Sequence, residues 1–359
     1  MTRVSAVTSG DKIRSVEFGN ALVADYTSQT DTLTQIVGPY VVIEPTKSAL
    51  ISAISTYGGE KTLVLPYSAT GFTIDEKVAI IMKNFKLINI PPHSCPINLT
   101  VNGMLSIENP AGDGDWNTGA PEIEGLYIDG KSVATRAITT EYASDLRRTL
   151  YTRIINNRFY NMEATNAITL NMMNAEQLQC LFNHFGTSKG VQLRLYQAQA
   201  RQIGNQVIVG NHFLLYNTAV TAAATGIKVE AIGTGAIGCC GMFNNKFLGD
   251  NAVNSLAIDV VGKAGCTVNP ILSTQDRFEA CRIIADNGLG TIQNFDINMF
   301  WNSTNYAIAG RYIVYTSPAV TRCLLSLGYS SAGGSEHANS VFWGNDGNGT
   351  NINWNQLVH

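Results

Sequence analysis

Two short stretches place ionisable residues where they could do chemistry. In Ile227-Lys228-Val229-Glu230 and Leu256-Ala257-Ile258-Asp259-Val260, apolar and charged residues alternate. Successive side chains of a strand point to opposite faces. With Ile227, Val229, Ile258 and Val260 inward, Lys228, Glu230 and Asp259 face outward. Val191-Gln192-Leu193-Arg194-Leu195 reads the same way, with Gln192 and Arg194 flanking an inward Leu193. If these strands are neighbours, Arg194, Lys228, Glu230 and Asp259 share one face. Two carboxylates about one strand spacing apart fall within the ~5–9.5 Å used by the paired acids of glycoside hydrolysis. A Lys or Arg beside them could instead abstract a proton next to a uronate carboxylate, as a lyase requires. Glu230, Asp259 and Lys228 are therefore the candidate catalytic residues, and Arg194 and Gln192 candidate substrate contacts. A ladder of alternating charge that merely solvates a sheet would look the same.

A second set sits inside a recurring tripeptide, Asn-x-Phe or Asp-x-Phe. It occurs at Asn157-Arg158-Phe159, Asn183-His184-Phe185, Asn211-His212-Phe213, Asn245-Lys246-Phe247, Asp276-Arg277-Phe278 and Asn298-Met299-Phe300. The middle residue of each lies between two inward or turn residues, so it should face solvent. Arg158, His184, His212, Lys246 and Arg277 would then form a basic column along the molecule. Such a column could hold an anionic polysaccharide, contact a neighbouring protomer, or blunt an exposed β-surface against aggregation. Sugars stack their apolar ring faces on aromatic side chains. Tyr196, Trp301 and Tyr306 lie in or just after these segments, and Trp301 joins the candidate substrate contacts.

Other chemistries lack their signatures. The sequence contains no G-x-S-x-G, H-E-x-x-H, Walker loop or EF-hand loop. Gly112-Asp113-Gly114-Asp115 is acidic and turn-like but lacks the spacing and terminal Glu of a calcium loop. The seven cysteines (Cys95, Cys180, Cys239, Cys240, Cys266, Cys281 and Cys323) form no C-x-x-C pair and are odd in number. They read as buried free thiols, compatible with folding in a reducing compartment. No metal and no cofactor is expected.

The elements that would position these residues follow from the repeat. The phenylalanines of the tripeptides are 26, 28, 34, 31 and 22 residues apart. Self-similarity at 20–50 residues marks stacked repeats. Most tripeptides precede a β-type alternation: Ala167–Asn171, Val191–Leu195, Ile227–Glu230, Leu256–Val260. One repeat thus holds about three short strands with polar turns between them. The variable step suits a coil of a parallel β-helix with loop insertions, and is too irregular for leucine-rich or propeller repeats. Asn readily takes the left-handed conformation of a tight bend. Stacked asparagines can pass amide hydrogen bonds along a column. The Phe two residues on would point inward and stack on its counterpart, coils being ~4.8 Å apart. Upstream, Asp129 in Tyr127-Ile128-Asp129-Gly130 lies 28 residues before Asn157 and reads as an earlier member, with Lys131 in the third place.

Toward the N-terminus, Thr46 is an N-cap candidate for a short amphipathic helix carrying apolar Leu50, Ile51 and Ile54, ended by Gly58-Gly59. Thr62–Pro66, Phe72–Ile74 and Val78–Met82 read as strands. Helix, Gly-Gly, strand ending in Leu-Pro, turn and strand together resemble the capping entry of the pectate-lyase-like β-helix superfamily, bacteriophage tailspikes and polysaccharide depolymerases above all. The resemblance covers roughly Thr46 to Trp301. It implies an all-β, right-handed parallel β-helix with a short N-terminal capping helix over 46–330. Residues 1–45 carry no repeat and read as an arm or attachment segment, and the Gly-, Asn- and Ser-rich 331–359 as a tail or last coil that could contact neighbouring subunits. The resemblance also implies a homotrimer, a bacterial surface polysaccharide as partner, virion baseplate or tail proteins as further partners, and a virion or extracellular location. A free lyase or hydrolase and a non-catalytic spike or adhesin share the same features.

Composition agrees. The chain has 359 residues with 45% hydrophobic and only 14% charged, against roughly a quarter in an average domain. That leaves little material for charged surface helices. The formal net charge of −3 lacks the basic excess of a duplex nucleic-acid binder. No apolar run reaches the ~20 residues of a membrane span, and the first ten residues show no apolar signal region.

Overall fold

The structure is a computed structural model. It describes residues 34–37, 39–81, 84–109, 120–140, 148–186, 188–197, 202–215, 224–232, 235–249, 255–262, 266–279, 281–285, 291–302, 312–316, 320–330, 341–345 and 352–358. From residue 282 onward only the backbone is described.

The chain winds as a solenoid of three strand columns. The first face runs from Tyr40–Ile43 through Thr62–Leu65, Lys86–Asn89, Glu122–Glu124, Arg153–Ile155, Gln179–Leu181 and Gln206–Val209 to Ala236–Phe243 and Thr267–Glu279. The second runs from Phe72–Ile74 through Pro96–Leu99, Tyr127–Asp129, Arg158–Tyr160, His184–Phe185 and His212–Leu214 to Lys246–Leu248. The third is a ten-stranded parallel sheet that includes Arg136–Thr139, Met162–Met173, Ser188–Gln197, Ala224–Ala231 and Ser255–Gly262. One coil therefore holds one strand of each column, the three strands expected from the sequence.

The Phe column explains the constant phase of the repeat. Phe159, Phe185, Phe213, Phe247 and Phe278 are each at most 1% exposed. Their rings stack with centroids 5.1, 4.7, 4.8 and 4.9 Å apart. Beside them runs the amide ladder. Asn157 Nδ2 donates to Asn183 Oδ1, Asn183 Nδ2 to Asn211 Oδ1 and Asn211 Nδ2 to Asn245 Oδ1, each at 3.0 Å. The same oxygens also accept the backbone N–H of the preceding asparagine, at 2.9–3.0 Å. The second amide hydrogen goes to a carbonyl one coil back: Ile123, Ile154, Cys180 and Ile208 for Asn157, Asn183, Asn211 and Asn245. Each carboxamide thus meets its donors and acceptors inside the wall, as burial demands.

Three expectations are corrected here. The ladder asparagines do not take the left-handed conformation. It falls on the residue just before, at Asn156, Phe182, Gly210, Asn244 and Gln275 (φ 51, 56, 66, 53 and 57°). The ladder residue needs extended backbone to aim its amide along the column, so the bend is made one residue earlier. Asp129 pairs with Tyr160 rather than with Asn157, and the first ladder oxygen, Asn157 Oδ1, accepts from the backbone N–H of Leu126. The last tripeptide is one residue out of phase. A register shift between Thr274 and Asp276 sets Trp301, not Phe300, opposite Phe278.

Asp276 closes the ladder. Its Oδ1 accepts from Asn245 N (2.7 Å) and Nδ2 (3.0 Å), and its Oδ2 from Ser273 Oγ (2.6 Å). Burial pushes its carboxyl up to about 6, although the hydrogen bonds from Ser273 and Asn245 favour the charged form. The folded state therefore binds this proton more tightly than the unfolded chain. The stability it confers is complete below about pH 4 and is lost as pH rises through about 6. Over that window the difference is about 2–3 kcal/mol. Asp276→Asn supplies donors where the other ladder members have them. We expect the variant to be more stable than wild type at pH 7.5, with the gap narrowing by pH 4, in denaturant midpoints or unfolding rates.

The N-terminal end is closed as the sequence suggested, with one addition. A helix spans Lys47–Tyr57, and Thr46 caps it by accepting from the Ala49 N–H at 3.2 Å. Leu50, Ala53 and Ile54 bury into the core with Val41 and Leu63. Lys47 Nζ ties the helix to Asp75 (2.6 Å) and Glu76 (2.8 Å). The sheet itself begins before residue 46: Tyr40–Ile43 pairs in parallel with Thr62–Leu65, and Thr34–Val37 lies antiparallel on it. At the other end, strands Val341–Asn345 and Ile352–Val358 continue the parallel columns. Thr46→Ala removes the cap and should cost about 1 kcal/mol, read as a lower denaturation midpoint with an unchanged circular dichroism spectrum.

Among the described residues no helix is long and apolar enough to cross a membrane. Cys95, Cys180, Cys240, Cys266 and Cys281 are buried free thiols. Burial pushes Cys180 and Cys240 up to about 12 and Cys95 to about 11, which suits packing rather than reactivity.

Candidate functional site

The third face brings the outward charges together as the alternation required. Arg194, Lys228 and Asp259 pair in one row across adjacent strands, with Tyr196 and Glu230 in the row two residues on. Leu193, Leu195, Ile227, Val229, Ile258 and Val260 point inward, each at 0% exposure. Burial of that apolar side fixes the register, because a one-residue slip would turn every charge into the core.

The charges form one network. Glu230 Oε2 accepts from Arg194 Nη2 at 2.7 Å and Nε at 3.1 Å. Lys228 Nζ lies 3.9 Å from Glu230 Oε2 and 3.7 Å from Asp259 Oδ2. The Arg194 guanidinium rests on the Tyr196 ring, 3.9 Å from its centroid. The two carboxylate oxygens share one ammonium neighbour, so they are no more than about 8 Å apart, inside the span of paired glycosidase acids. Arg194, Lys228, Glu230 and Asp259 line a groove of about 740 Å³ that also takes in Thr165, Asn166, Lys189 and Thr225. It is large enough for a sugar unit or two.

The electrostatics bear on role. Glu230 is buried at 7% exposure with its Oε2 between Arg194 and Lys228, whereas Asp259 has Lys228 as a cationic neighbour, so the two carboxylates sit in unlike surroundings. A comparable ladder on the first face links Lys86, Glu122 and Arg153 and lines neither groove described in this structure. Alternating charge is thus a general device of this wall. The third-face network lines the groove of about 740 Å³.

Gln192 leaves the site. It is fully buried beside the equally buried Leu193, so two successive side chains point inward where the chain turns from the second face to the third. Its Nε2 donates to the Leu214 and Gly186 carbonyls, bracing that corner from inside. Sequence reasoning applied strict alternation one residue too far. It also missed Thr165, Asn166 and Lys189, which precede the alternating run. Their signal is the backbone at Asn166 (φ 61°) and Gly190 (φ 130°), where the chain bends into the strand.

The basic column is real as a register row. Arg158, His184, His212, Lys246 and Arg277 are paired successively across the second face and its continuation. It is less cationic than the sequence implied. His184 Nδ1 and His212 Nδ1 share a hydrogen bond at 3.1 Å. Burial, then His184 and Lys246, push His212 down to about 4, leaving it neutral near pH 7. Trp301 stands in the backbone row of Phe278, apart from this column. The Asp113–Asp115 turn and Tyr306 lie outside the described residues.

No protein-family model matches the sequence, and no curated protein does either. Solved structures do match. ORF18 of Geobacillus virus E2 aligns over 87% of this chain and 58% of its own, with a TM-score of 0.55 at 14% identity. The chain is a right-handed parallel β-helix. It spans a little over half the length of that viral protein. The β-helix also aligns with PfbA, a surface adhesin of Streptococcus pneumoniae, over 79% of this chain and 85% of that one (TM-score 0.44, 10% identity). A Family 28 exopolygalacturonase of Yersinia enterocolitica aligns over 87% and 74% (TM-score 0.41, 8% identity).

Proposed function

We propose that this β-helix binds a bacterial surface polysaccharide along its third face and cuts it there, as a receptor-binding tailspike does. The observation that carries the reading is the groove itself. Two carboxylates, Glu230 and Asp259, face it around a shared Lys228, and Arg194, bound to Glu230, lines it beside them. Glu230, already beside two cations, is the base or nucleophile. Asp259 is the second carboxylate, and Lys228 and Arg194 bind anionic or hydroxyl groups of the sugar. The tailspike setting, with a homotrimer, baseplate or tail partners and a virion location, rests on the resemblance of the Thr46–Trp301 sequence. The test is incubation with a panel of capsules and O-antigens, following new reducing ends and the ultraviolet absorbance of unsaturated uronates. Reducing ends alone would mark a hydrolase, and the absorbance a lyase.

A second reading has its own observation. Arg194 already engages Glu230 through two nitrogens, as a purely structural pair would. If glycan binds and no polymer shortens, the β-helix is a non-catalytic spike or adhesin.

A further inference from the structure

The second face carries a separate hollow of about 280 Å³, walled by His93, Arg158, Tyr160, Phe182 and His184. The coil geometry builds it. Arg158 and His184 are neighbours in the basic row. Tyr160 packs against the His184 ring, with centroids 5.4 Å apart. Phe182 occupies the left-handed corner and is 60% exposed. It lies over Gly210, where a Cβ would come within 2.5 Å of its ring. His93 arrives from a loop two coils away. Its backbone N–H donates to Gly125 O at 2.7 Å, and its Nε2 donates to Asn156 O at 2.6 Å. The residue is therefore held at its backbone and at Nε2.

The charges here are not balanced. Among the described residues no carboxylate pairs with Arg158. The nearby Asp129 is taken by Lys131 (3.0 Å) and Asn161 (2.9 Å). Burial lowers the pKa of both His93 and His184, and Arg158 lowers both further. Among the described residues Arg158 has no counter-ion, two imidazoles lie in its field and the exposed Phe182 ring forms a wall, so the hollow is short of one negative charge among them. Guanidinium forks match the paired oxygens of carboxylate and phosphate. Aromatic faces suit the apolar side of a sugar ring.

We propose that this hollow binds the anionic substituent of an acidic sugar, carboxylate or phosphate. Arg158 takes the charge, His184 and His93 flank it, and the sugar ring lies against the exposed face of Phe182, since Tyr160 is already stacked on Tyr127 (5.3 Å) and packed on His184. The inference does not depend on cleavage in the third-face groove, which lies on another wall. The full chain, labelled with ¹⁵N-histidine, is titrated at constant ionic strength with sodium glucuronate, glucose 1-phosphate, inorganic phosphate and glucose. The His93 and His184 ring signals should shift and saturate with a sugar acid, and whichever sugar acid binds tighter identifies the anion. Glucose should give no saturable shift, and inorganic phosphate should bind at least tenfold more weakly than the better sugar acid. Arg158→Gln should weaken sugar-acid binding at least tenfold, and Phe182→Ala several-fold, with circular dichroism unchanged. Glu230→Gln should leave it intact. Equal response to glucose, binding of inorganic phosphate as tight as that of both sugar acids, or wild-type affinity in Arg158→Gln would overturn the proposal.

Discussion

Phe213→Ala should destabilise the protein by about 3–5 kcal/mol. Phe213 is fully buried and lies between Phe185 and Phe247, 4.7 and 4.8 Å away and within 6° of parallel to each. Truncation removes both ring contacts, worth about 0.5–1.5 kcal/mol each beyond area burial, and opens a void the flanking coils cannot close. Their spacing is set by backbone hydrogen bonds on three walls. Phe159 is stacked on one described side only, so Phe159→Ala should cost less. The measurement is the denaturant midpoint, or the unfolding rate where refolding fails. A loss below about 0.5 kcal/mol at Phe213 would mean the column carries no stability.

Glu230→Gln and Asp259→Asn should each lower polysaccharide turnover by about 10²–10⁴. Both changes are nearly isosteric and lie on the outer side of strands whose inner residues are fully buried, so the coil should stay intact. Their signatures should differ. Glu230→Gln also frees Arg194 and should alter KM along with kcat. Asp259→Asn should act mainly on kcat. Lys228→Met is a further check, since it removes the cation common to both carboxylates. Wild-type turnover in both carboxylate variants, with unchanged circular dichroism, would move the chemistry off this face.

Much of this was legible in the sequence because a coil imposes two clocks. The return of the chain to the same wall sets the spacing of Phe159, Phe185, Phe213, Phe247 and Phe278. The pleat sets the alternation that placed Lys228, Glu230 and Asp259 outward. What was not legible depends on corners. Whether Asn157 or Asn156 takes the left-handed conformation is decided by where the amide must point. Gln192 is inward because the wall turns there, and a strand rule has no term for that. The slip that puts Trp301 opposite Phe278 follows an irregularity near Asp276, which an in-phase tripeptide conceals. His93 and Asn156 are 63 residues apart, and no periodicity links a loop to the coil it folds over.

The most direct test of the account is a crystal structure of Glu230→Gln with an oligosaccharide from the polysaccharide that the wild-type protein binds or shortens. The account predicts sugar density along the third face, between Asn166 and Asp259, with hydroxyl or carboxylate oxygens on Lys228 and Arg194. Density confined to another wall, with the Arg194–Lys228–Asp259 row bare, would contradict it.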